Sequence, residues 1–185
     1  MGTNVILAVG ALVIFGTFLS SSNRLMTVNT QIAEQNEYYI TAISLGQSVI
    51  AEAKAKAFDQ KTIGKMFPFA SPDSLSVVLG QDGLAEQPPN VPIPDVVSTA
   101  APYTPSNPGY FSTYKYNDVD DYNGYKRKVN TPRAEGYMVW STVQYASPTH
   151  PDSTKSVRTF CKRMNVYVAS PFIKDTVKLS YAFTY

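Results

Sequence analysis

The apolar and polar positions divide this chain near residue 60. From Val5 to Leu19 it reads VILAVGALVIFGTFL, with no charge, no proline and one hydroxyl, Thr17. Beyond it, Leu25, Val28, Ile32, Tyr39, Ile43, Leu45, Val49, Ile50, Ala53 and Phe58 recur at mostly three- and four-residue steps. Glu34, Glu37, Glu52, Lys54 and Lys56 take other positions. That is one apolar face of an amphipathic helix. No proline precedes Pro68, so the pattern predicts one helix from residue 1 to about 58, roughly 87 Å long. A domain of this size is only ~30–40 Å across. Most of such a helix needs cover from outside its own globule, either a lipid bilayer or identical helices of other copies.

The second part of the chain changes period. Tyr137 to Tyr145 alternates with Tyr137, Val139, Val143 and Tyr145 on one face. Val157 to Ala169 puts Phe160, Met164, Val166 and Val168 on one face, with Lys162 on that same side. Thr176 to Tyr185 keeps strict period two through Val177, Leu179, Tyr181, Phe183 and Tyr185. Short loops between these strands predict an antiparallel meander, with the amphipathic half of the helix covering its apolar face. Phe111 to Tyr116 alternates enough for a further strand. Ser71 to Leu79 predicts a short strand or turn. The fold class is therefore α+β, divided as 1–24 (apolar helix), 25–60 (its amphipathic continuation) and 61–185 (a β-rich domain). All 13 prolines lie at or after Pro68. Seven of them make 81–108 a long loop without regular structure, lying on its own domain or on a neighbouring subunit.

Composition narrows the function. Net charge is +2, and Arg24 is the first charged side chain. No basic run suits a nucleic acid, so none is expected as partner. Cys161 is the one cysteine and His150 the one histidine, which rules out an intrachain disulfide and a His/Cys zinc site. Cys161 is expected as a small buried side chain and His150 as an exposed turn residue. No nucleophile elbow, phosphate loop or dinucleotide fingerprint is present. No enzyme activity, catalytic residue or organic cofactor is expected. The apolar run is borderline for a spanning helix, which needs ~20 residues. No Lys or Arg precedes it, so Met1 is expected to be exposed by removal of a basic leader.

A long N-terminal helix, apolar then amphipathic, followed by an antiparallel sheet resembles the type IV pilin superfamily, which includes type IV pilins and pseudopilins. Met1 suits the family's mature N-terminus. Val5 stands where the family usually carries glutamate, which leaves Thr3 and Asn4 as the nearby polar side chains. The resemblance implies a structural subunit of an extracellular helical filament of the kind used in adhesion, motility or DNA uptake. Such a subunit sits in the inner membrane before assembly and then polymerises with identical copies. Val5, Val9, Leu12, Val13, Phe15, Phe18 and Leu19 are the expected assembly residues. The alternatives are a pseudopilin or other membrane-anchored component of a secretion machine, and a signal-anchored envelope binding module.

One stretch carries candidate metal chemistry. In Asn117 to Gly124, Asp118, Asp120, Asp121 and Asn123 gather several oxygens in one turn. Calcium takes six to eight oxygen ligands, and these four residues are its candidates. The other possibility is an ordinary acidic hairpin turn, neutralised by Lys126, Arg127 and Lys128.

Overall fold

The structure is a computed structural model that describes residues 2–64, 69–83, 86, 96–98 and 111–185. Helix α1, Gly2–Lys54, is continuous over 53 residues, or about 80 Å. It runs on through its hydroxyl residues, and the side chains of Thr17, Thr27 and Ser44 bond back to carbonyls one turn earlier. It stops short of residue 58 because Ala55 and Lys56 tighten into three-residue turns. Ala57 then makes a parallel bridge with Asp118.

The chain divides into two units, Met1–Tyr38 and Tyr39–Tyr185. In the first unit every residue from 2 to 36 except Ser22 is exposed. The second unit holds the rest of α1 and a five-stranded sheet in the order β1-β2-β3-β4-β5. The strands are β1 (Val96–Ser98), β2 (Lys126–Asn130), β3 (Tyr137–Tyr145), β4 (Cys161–Ala169) and β5 (Val177–Thr184). The last four form the antiparallel part, and β1 joins β2 in parallel, pairing Val96 with Lys128.

The register sets the core. Val139, Ser141, Val143 and Tyr145 pair with Val168, Val166, Met164 and Lys162. These pair in turn with Val177, Leu179, Tyr181 and Phe183 of β5. All eight on β3 and β4 are buried, and the residues between them line the opposite face of the sheet. The helix meets this core through a stripe of mainly small residues, Ala42, Gly46, Val49 and Ala53. A Cβ at Gly46 would stand 2.5 Å from Leu179 Cδ1, so the glycine permits the close approach. Ile43, on the expected apolar face, is exposed instead. Backbone proximity at the small residues won over the bulk of the isoleucine.

Two other expectations are corrected, and two further segments take a form that the sequence left unmarked or open. Phe111 to Tyr116 is not a strand but a short helix, α2 (Phe111–Lys115). The loop 81–108 contains β1, because the backbone of 96–98 completes the open side of β2; most of that loop lies outside the described residues. Lys126 to Lys128 belong to β2, a strand that the period-two pattern did not mark. Of the strand or turn expected for Ser71 to Leu79 the chain takes the turn, a 3₁₀ turn at Pro72–Ser74 capped by the Ser71 side chain.

Candidate functional site

Two places stand out, one in each unit. In the first, Val5, Val9, Leu12, Val13, Phe15, Phe18 and Leu19 are all exposed on α1; Leu12 keeps 69% of its surface and Phe18 67%. An uncovered apolar surface of this extent is unusual for a protein in water. Among the described residues, α1 is the one helix long and apolar enough, by length and composition, to cross a membrane.

The second place is a buried polar cluster where the chain leaving α1 meets the sheet. Ala57 and the acidic turn bond through their backbones, Ala57 N–H to Asn117 O and Val119 N–H to Ala57 O. Asp59 caps the next turn, Gln60–Thr62, in a capping box. Its carboxylate also accepts from the Ser76 amide and hydroxyl. Lys162 reaches in from β4. Its ammonium donates to Phe58 O (2.8 Å), Asp59 Oδ2 (2.8 Å) and Asp120 Oδ1 (2.6 Å). The Lys162, Asp59 and Asp120 side chains are fully closed to solvent. The rings of Phe58 and Tyr145 flank the ammonium at 4.8 and 5.6 Å.

The acidic turn satisfies itself in part. Asp118 Oδ1 accepts from the amides of Asp120 and Asp121. Asp121 Oδ2 accepts from the amides of Asn117 and Asp118. The Asn123 side chain is occupied at both ends, donating to Leu79 O and accepting from the Val143 amide. Gly124, at φ +84°, supplies the left-handed residue that returns the chain to β2. Tyr122 donates to Glu52 Oε1 at 2.7 Å, which ties the turn to the last helical turns.

Electrostatics follow burial. Burial opposes ionisation of Asp59, but the hydrogen bond and charge of Lys162, with the Ser76 and Lys61 amides, hold it below its ordinary value. Burial and the neighbouring Asp120 push Asp118 well up. Burial raises Asp121 to about 6 against its two amide donors. Burial, then the charge of Asp120, raises Asp82.

The structure therefore regroups the expected ligands. Asp118 and Asp120 come together, and Asp82 from a separate loop joins them. One carboxylate oxygen from each lies within 4.8 Å of the others. Asp121 and Asn123 are committed to backbone groups. The alternative of neutralisation by Lys126, Arg127 and Lys128 is corrected: among the described residues the ammonium bonded to Asp59 and Asp120 is that of Lys162, while the three basic residues belong to β2. Asp59, Asp82 and Lys162 escaped the local pattern. The one legible signal was a lysine on the apolar side of a strand. Cys161 is buried and unpaired, and burial raises its thiol. His150 is exposed in its turn, beside Thr149 Oγ1.

Compared with protein-family models, with curated proteins and with solved structures, the chain finds no match.

Proposed function

We propose that this chain is the structural subunit of an extracellular helical filament of the pilin type. It would sit in a membrane through the apolar half of α1 and then exchange lipid for identical helices on assembly. The observation that carries this reading is the exposure of Val5, Val9, Leu12, Val13, Phe15, Phe18 and Leu19 on a continuous helix of 53 residues. At ~25 cal/mol per Å² of apolar surface, packing such side chains against neighbours gains tens of kcal/mol before entropy and lost lipid contacts are counted. The α+β architecture is compatible with it.

A second reading, a membrane-anchored component of a secretion machine, is favoured by the same helix's capacity to span a bilayer. Abundance separates the two. Electron microscopy of material sheared from the cells that make the protein, with mass spectrometry of the filament band, tests them. This chain as the main component of long filaments supports the first reading. Its recovery solely from the membrane fraction defeats that reading in favour of the second.

A further inference from the structure

We propose that Asp82, Asp118 and Asp120 form a binding site for one hard divalent cation, of which calcium is the best fit. The spacing suits one ion. Two oxygens that ligate the same calcium at ~2.4 Å stand at most ~4.8 Å apart, and one oxygen from each of these three carboxylates meets that limit.

The independent observation is an orphaned oxygen. Asp120 has no exposed surface, and its Oδ2 has no hydrogen-bond partner among the described residues. A desolvated carboxylate oxygen without a partner is costly. Lys162 cannot supply the missing donor. An ammonium has three protons, and Phe58 O, Asp59 Oδ2 and Asp120 Oδ1 take all three. The nearby amides are spent as well: those of Asp120 and Asp121 go to Asp118 Oδ1, and those of Asn117 and Asp118 to Asp121 Oδ2.

Charge points the same way. Among the described residues, the ammonium bonded to Asp120 is that of Lys162, and it is shared with a further carboxylate, Asp59. A divalent cation supplies the missing positive charge. Two of the ligands come from one turn and the third from the loop at residue 82. That third ligand is exposed, which leaves an open side for entry and for water ligands. Calcium accepts such an irregular, partly hydrated oxygen set, whereas magnesium demands near-octahedral geometry. The ion would brace the loop around Asp82 to the acidic turn. The competing account is a proton shared between Asp118 and Asp120.

The test uses the full chain in detergent micelles, stripped with a chelator and titrated with calcium chloride by calorimetry and equilibrium dialysis. One calcium per chain is expected, with a melting temperature that rises with calcium and falls in chelator. Asp82→Asn, at an exposed position, should weaken binding tenfold or more while leaving the metal-free melting temperature unchanged. No binding up to millimolar calcium overturns the proposal in favour of the shared proton. Equal binding by Asp82→Asn overturns the ligand set.

Discussion

Lys162 and Asp59 lie 103 residues apart in the chain and meet at 2.8 Å, with both side chains closed to solvent. The contact joins the strand at the centre of the antiparallel meander to the segment that leaves α1. Neither charge is tolerable there alone, because desolvating an ion costs several kcal/mol. The pair is stable because Asp120, Phe58 O and the Ser76 groups use the remaining protons and lone pairs.

Removing the ammonium should therefore be severe. Lys162→Met keeps the length of the side chain and leaves Asp59 and Asp120 buried without their cation. The expected loss is about 3–5 kcal/mol, the usual result of breaking one partner of a buried pair. Denaturant unfolding of parent and variant measures it. A loss under about 1 kcal/mol, the range of exposed pairs, would show that the cluster does not hold the fold.

The same pair sets an acid limit. Asp59 titrates below its ordinary value of 3.8 in the folded chain. Its contribution is thus present in full above that value and is lost as pH falls through the lower folded one. Melting temperature should drop steeply as pH is taken from about 5 to 2. Asp59→Asn should start lower at neutral pH and show a shallower acid limb. Parallel pH profiles for the two proteins would contradict the assignment.

Gly46 offers a graded test of the helix–sheet contact. The atom nearest an added Cβ is the tip of the Leu179 side chain, which can rotate. Gly46→Ala should change stability by less than ~1 kcal/mol, since helix propensity gains about as much as the clash costs. Gly46→Leu has no room and should cost ~1–3 kcal/mol. Equal melting temperatures for the two variants would mean that α1 does not pack closely there.

Assembly is tested at Leu12, which is far from the sheet in sequence and exposed in the first unit. Under the proposed function, Leu12→Asp puts a charge into a dry bundle of helices at a cost of several kcal/mol. Surface filaments should disappear, while denaturant unfolding of the second unit in the purified variant stays within ~0.5 kcal/mol of the parent. Normal filaments from this variant would refute polymerisation through the apolar half of α1.

The elements legible in the sequence are those with local causes. An apolar run without proline, followed by three- and four-residue spacing, dictates α1, because helical hydrogen bonds close within four residues. Period two dictates β3 and β5, and marks β4 with its inward Lys162, because strand side chains alternate by geometry alone. The remaining elements formed through contacts between distant segments. The basic strand β2 has no alternation of its own and exists because β3 offers it a partner at Lys126–Trp140 and Val129–Tyr137. Segment 96–98 is likewise a strand through its neighbour. Gly46 lies on the buried side and Ile43 on the exposed side because close approach to Leu179, not side-chain hydrophobicity, set the contact. The acidic turn looked like four ligands in a row. Its hydrogen bonds instead turned Asp121 and Asn123 onto the backbone and brought Asp82, Asp59 and Lys162 from three other segments. Burial and charge balance are properties of the assembled interior, and no local stretch of the chain encodes them.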